Sequence, residues 1–100
     1  MRRFYHRTSL AVAAAILQDG FRDHVGTYMT DQEFRGVWLS DEPLDVNEGA
    51  IGDALLEIDL GLEDDAIDRY EWIEEGKGYR EWLIPAALIN ANASIRLSEE

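Results

Sequence analysis

A histidine near one end of this chain and a glutamate near the other are the pair of residues best suited to chemistry. Tyr79-Arg80-Glu81-Trp82-Leu83-Ile84-Pro85 sets a carboxylate between a basic residue and a bulky apolar run. Alternation along a strand puts Glu81, Leu83 and Pro85 on one face and Arg80, Trp82 and Ile84 on the other. A carboxylate in a semi-apolar cleft accepts a hydrogen bond from a sugar hydroxyl. It also favours positive charge developing on carbon, as in an oxocarbenium-like transition state. Far upstream, Phe4-Tyr5-His6-Arg7-Thr8 reads as a second short strand whose histidine can position a ligand hydroxyl. Plainer accounts exist for both residues. His6 can be satisfied by a backbone carbonyl, and Glu81 can pair at the surface with Arg80 or Arg96 for about 0–1 kcal/mol. Tyr5 and Trp38 offer aromatic faces that either pack in a core or stack on a flat heteroaromatic ring. Thr8 and Ser40 are hydroxyls at strand ends, where they can also act as caps.

These side chains need a scaffold. Arg2 to His6 reads as a strand, and Thr8 or Ser9 can cap a helix starting near Leu10. The Ala-rich stretch to Gln18 has high helix propensity, with Leu10, Ala13, Ala14 and Leu17 on one face, and Gly20 ends it. Phe21 to Phe34 is polar and irregular, a loop. Gly36 to Ser40 is a strand stopped by Asp41-Glu42-Pro43, and Leu44 to Gly52 is an acidic, glycine-containing loop. Ala54 to Leu60 begins apolar and then alternates, as a half-buried strand does. Leu62 to Asp68 forms a short helix with acids at its positive end. Tyr70 to Ile73 and Tyr79 to Ile84 flank Glu-Glu-Gly-Lys-Gly as a hairpin, or the first arm continues the preceding helix. Pro85 to Asn90 is a turn or single helical turn, and Ala93 to Leu97 closes the sheet. The sum is an α+β domain spanning residues 1–100, with a small, split, mostly antiparallel sheet and one main helix.

Composition narrows the chemistry. The 100 residues include no cysteine, which excludes thiolate nucleophiles and Cys-based zinc sites. No two metal ligands share a useful helical spacing, so no metal site is expected. No Gly-x-Ser-x-Gly turn, P-loop or Gly-x-Gly-x-x-Gly is present. No apolar run reaches the roughly 18 residues that span a membrane, and a cytoplasmic location is expected. Net charge is −12, with fourteen acids and the single base Arg69 between Asp41 and Glu75. That field repels nucleic acid and anionic membranes. The first ten residues carry only positive charge, on Arg2, Arg3 and Arg7, so a phosphate would be met there.

In order along the chain come a strand with His then Thr/Ser, a helix ending Asp-Gly-Phe, a strand Gly-Val-Trp-Leu-Ser and a late Arg-Glu-Trp-Leu-Ile-Pro. This order resembles the ADP-ribosyltransferase superfamily, in particular its small RNA 2′-phosphotransferase and DNA-modifying toxin branches. The resemblance implies NAD, or a related nucleotide, in a cleft of a split antiparallel sheet. It implies that His6 orients the nicotinamide ribose and that Glu81 supports the oxocarbenium, as catalytic residues. Tyr5, Arg7, Thr8, Trp38 and Ser40 would contact the cofactor. The family's first motif commonly reads His-Gly-Thr; here Arg7 stands in the glycine's place, where it can offer a cation to phosphate. The implied activity is transfer of ADP-ribose, or a phosphotransferase variant of it, to a macromolecular acceptor. The rival expectation is a non-catalytic binding protein whose acidic surface engages a basic partner.

Overall fold

Among the described residues, seven strands and three helices follow one another as β1 (Arg2–Thr8), α1 (Leu10–Asp19), β2 (His24–Thr27), β3 (Glu33–Ser40), β4 (Ala54–Leu60), α2 (Asp64–Asp68), β5 (Glu71–Trp72), β6 (Glu81–Ile84), α3 (Ala86–Asn92) and β7 (Ala93–Leu97). The computed structural model describes residues 1–27, 33–44, 52–76 and 78–98. The strands form one sheet in the order β5-β6-β3-β1-β4-β7, with β2 pairing to the first half of β3. Every pairing among the described residues is antiparallel. This is a small α+β fold with a mostly antiparallel sheet and few helices.

Local chemistry accounts for the elements. Ser9 caps α1 by accepting from the Val12 amide at 3.2 Å, and Asp53 Oδ1 accepts from the Leu10 amide at 3.0 Å, so two of the helix's unpaired first-turn donors are met. Gly20 ends the helix at φ +87°, a conformation that favours glycine. Pro85 precedes α3, whose first amide, on Ala86, donates to Asp23 Oδ1 at 2.8 Å. The expected hairpin forms, with Glu71 opposite Trp82 and Trp72 opposite Glu81.

Alternation sorts the sheet into two faces. Phe4, Leu39, Leu56, Ile58, Leu60, Trp82 and Ile84 are almost fully buried on one, beneath Ile67 of α2 and Ile89 of α3. The other face is ionic. Asp59 accepts from Arg3 Nε at 2.9 Å and from Arg96 Nη1 at 2.7 Å, and Arg96 Nε lies 2.8 Å from Glu57 Oε2. Hydrogen bonds from Arg3 and then Arg96 hold the Asp59 carboxyl down to about 2.

Three sequence expectations change. Helix α1 buries Ala13 and Ile16, while Leu10 and Leu17, expected on the inner stripe, are 54% and 45% exposed. The segment expected as an irregular loop from Phe21 to Phe34 contains β2, and Phe21 itself is buried. The turn after Pro85 is a seven-residue helix. The expected loop over Leu44 to Gly52 lies outside the described residues at positions 45–51.

Candidate functional site

The sheet is least continuous where β1 meets β3, and the site begins there. Only Tyr5 and Ser40 are aligned between these two strands. Beyond that pair the Trp38 carbonyl, which points toward β1, takes the imidazole of His6, with Nδ1 2.7 Å from the oxygen. A carbonyl only accepts, so Nδ1 carries the proton in this contact. The neutral ring is then left with a lone pair on Nε2. No described protein group bonds that nitrogen, and it is not sealed from solvent. Phe21 packs edge-on to the imidazole, with ring centroids 5.3 Å apart. Burial pushes the His6 pKa below its ordinary value near 6.5, against the smaller opposing effect of the Trp38 carbonyl. The acceptor state of Nε2 is therefore the state present at neutral pH.

His6 lines a groove of about 840 Å³ between β1, α1 and the segment that follows α1. Ala11, Val12, Ala15 and Ile16 form its apolar wall, Arg22 and Asp19 bring charge, and His24 adds a second imidazole. Thr8 lies at one end. In a chain of net charge −12, the described lining of this hollow holds Arg7, Arg22 and two histidines against one carboxylate, Asp19.

The residues expected to cooperate divide between the two faces. Phe4 and His6 are two positions apart on β1, whose pairing with β4 is regular from Arg2 to Thr8. They share the helix-covered face. Tyr5, Ser40, Glu81 and Trp72 are successive cross-strand partners through β1, β3, β6 and β5, so they lie in one row on the opposite, ionic face. Trp82, beside Glu81, is 0% exposed and packs against Phe4, which fixes the parity independently. His6 and Glu81 thus project to opposite sides of one sheet, and a single ribose does not reach both.

Other candidates are committed elsewhere. The Ser40 hydroxyl is buried and donates to the Glu42 carbonyl at 2.7 Å. Arg7 borders the groove, and its Nε donates to the Leu44 carbonyl. Trp38 supplies the groove with the carbonyl that holds His6, while its ring sits edge-on to Trp72, which in turn meets Phe34. The sequence reading places neither Phe21 nor Arg22 in a site, and it takes His24 as an exposed loop residue; all three border the groove, and His24 is exposed on β2. The one available signal was Phe21, a large apolar residue directly after a helix-ending glycine, where a hydrophobic contact back to the helix is common.

Among the described residues, no group of three or more His, Asp or Glu side chains gathers as a metal would require. Among them, too, no helix is long and apolar enough to cross a membrane.

The neutral imidazole carries a stability prediction. Its folded pKa lies below its unfolded value, so the unfolded chain binds the extra proton first as pH falls. The His6 contribution is complete above the ordinary value near 6.5 and declines as pH drops from there toward the folded pKa. His6→Gln is expected to flatten the denaturation midpoint between pH 7 and pH 5, measured by urea titration. An unchanged slope would show that His6 is no more buried than the unfolded side chain.

Comparison of the chain with protein-family models, curated proteins and solved structures found no match.

Proposed function

We propose that this protein binds NAD or a related nucleotide in the groove beside His6, on an ADP-ribosyltransferase-like scaffold. The observation that carries this reading is the bare Nε2 of His6, held as an acceptor by the Nδ1 contact and bordering a hollow lined by Arg22 and His24. Nε2 accepts from a ribose hydroxyl. The apolar α1 wall and Phe21 receive a flat ring, and the Arg22 guanidinium meets phosphate. A volume of about 840 Å³ lies within the range of small-molecule sites.

Transfer of ADP-ribose with Glu81 as the supporting carboxylate finds no help in this geometry, because Glu81 faces the other side of the sheet. The reading assigns the groove to binding, and it assigns phosphate contact there to the Arg22 guanidinium, with His24 as a further ring-nitrogen partner. A phosphotransferase variant, which needs phosphate held by cations, fits these side chains better than oxocarbenium support does.

Calorimetric titration with NAD, ADP-ribose and inorganic phosphate tests the reading. His6→Ala is expected to weaken NAD binding by about tenfold or more, the loss of one hydrogen bond from a desolvated partner. Glu81→Gln is expected to leave affinity and any NAD turnover unchanged. No heat from any of the three compounds would end the proposal, and loss of turnover in Glu81→Gln would overturn the assignment of Glu81 away from the chemistry.

The rival reading, a non-catalytic protein acting on a basic partner, draws on the acids of the α2 region. Glu63, Asp64 and Asp65 are exposed there. It requires an affinity that falls steeply with salt and is indifferent to His6→Ala.

A further inference from the structure

The groove's floor and its charged rim hang on one short segment, Phe21 to His24, and that segment is fastened from outside the groove. Asn90, near the end of α3, uses both ends of its side-chain amide on the backbone of Phe21. Its Oδ1 accepts from the Phe21 amide at 2.8 Å, and its Nδ2 donates to the Phe21 carbonyl at 2.9 Å. This is the pairing that a neighbouring strand would supply, made by one side chain 69 positions away. Gly20 is shaped to the same contact. A Cβ there would lie 2.9 Å from Asn90 Oδ1, and its φ of +87° disfavours any side chain. Asp23 adds a second tie by accepting from the first amide of α3. Phe21 carries the first tie, and its ring meets the His6 imidazole edge-on. Arg22 lies between the two tied residues and His24 directly after them, and both border the groove.

We infer that Asn90 is a positioning residue for the ligand groove, holding Phe21 against His6 and thereby setting the direction of Nε2 and the place of Arg22 and His24. The inference rests on the reading of this groove as the nucleotide site, and it extends that site to a helix that does not line it. Asn90 touches no ligand in this scheme. It acts through the backbone of Phe21.

A purely structural role would lower stability and move nothing else, so the test reads the groove directly. Asn90→Ala removes the clamp. Gly20→Ala displaces Asn90 by a separate route, with no change of charge near His6, Arg22, His24, Asp19 or Arg7. In each, the His6 ring titration followed by NMR is expected to move up toward the ordinary histidine value as water reaches the imidazole. Exchange of the Phe21 amide is expected to quicken by about tenfold or more, as for the loss of one hydrogen bond. NAD affinity is expected to fall by about tenfold. Ile95→Val on β7 serves as a destabilised control that leaves all three unchanged. A folded Asn90→Ala with wild-type His6 titration and wild-type Phe21 exchange would overturn the inference. If Asn90→Ala does not fold, Gly20→Ala decides by the same readouts. Should wild-type protein bind no NAD, the functional reading fails, while the titration and exchange still judge the clamp.

Discussion

Trp82→Ala is expected to cost about 3–5 kcal/mol of folding stability, the range for removing a fully buried large aromatic side chain. For a chain of this size, that lowers the thermal midpoint by more than about 10 °C. Trp82 is 0% exposed, and it joins two parts of the fold that are remote in sequence. Its ring meets Phe4 of β1 edge-on with centroids 4.9 Å apart, and its Nε1 donates to Asp68 of the α2 helix at 3.2 Å. The Arg2 and Arg80 guanidinium groups lie over the indole at 5.2 and 4.8 Å. Asp68 accepts from Arg2 at 2.9 Å, so the two arginines and the carboxylate form one cluster around the indole. Removal of the ring leaves a cavity in the core and takes a partner from Asp68. Ile73→Ala is the matched control, since Ile73 is 83% exposed and its truncation is expected within about 0.5 kcal/mol of wild type. Urea denaturation of both variants measures the difference. A Trp82→Ala loss below about 1.5 kcal/mol would mean that the indole does not anchor the core.

Much of the scaffold is legible in the chain because its signals are local. Ser9 and Gly20 bracket α1, the apolar alternation from Ala54 to Leu60 coincides with β4, and Glu-Glu-Gly-Lys-Gly separates the arms of the β5–β6 hairpin. The inner side of α1 is harder to read. Leu10 and Leu17 are the larger side chains, yet the helix turns Ala13 and Ile16 to the sheet, so size and period alone point to the wrong stripe. Packing against β4 and the close fit of an alanine decide that orientation, and neither is encoded in local spacing. β2 is likewise short and polar, and it owes its existence to pairing with Glu33–Gly36 of β3.

The relation between His6 and Glu81 shows where the candidate site stops being readable. Alternation within a strand tells which neighbours share a face, and for residues 81–84 that sorting holds. It does not tell whether the even positions of β1 share a face with the odd positions of β6. That parity depends on two registers in series, Tyr5 with Ser40 and Ser40 with Glu81. A slip of one residue in either pairing would bring Glu81 to the side of His6. The observed registers are set by burial: Phe4, Leu39 and Trp82 must all face the core, and Glu81 therefore cannot. The hydrophobic residues that make this sheet stable are the ones that separate the two polar residues most suggestive of a site. His6, Thr8 and the backbone of Trp38 do come together, because they lie along the β1–β3 boundary.

Gly52→Ala is expected to destabilise the fold by about 2–6 kcal/mol, combining backbone strain of about 1–3 kcal/mol with overpacking of similar size. Gly52 is exposed and precedes β4, where an alanine would ordinarily be harmless. Its φ is +141°, and a Cβ there would press into the backbone of Thr8, against the carbonyl and 2.8 Å from Cα. Backbone cannot swing aside as a side chain does. The first β1–β4 pair, Thr8 with Ala54, must therefore part, or Gly52 must leave its conformation. Either movement reaches the start of α1, since Ser9 caps that helix and Asp53, next to Gly52, accepts from the Leu10 amide. It also reaches the Thr8 end of the groove. Two effects should therefore appear together: a lowered urea midpoint and faster amide exchange at Leu10 and Val12. Asp53→Ala, which removes only the side-chain acceptor, should quicken Leu10 exchange at about 1 kcal/mol of stability. If Gly52→Ala proved as mild as Asp53→Ala, the close approach of this glycine to Thr8 would have no part in holding the helix to the sheet.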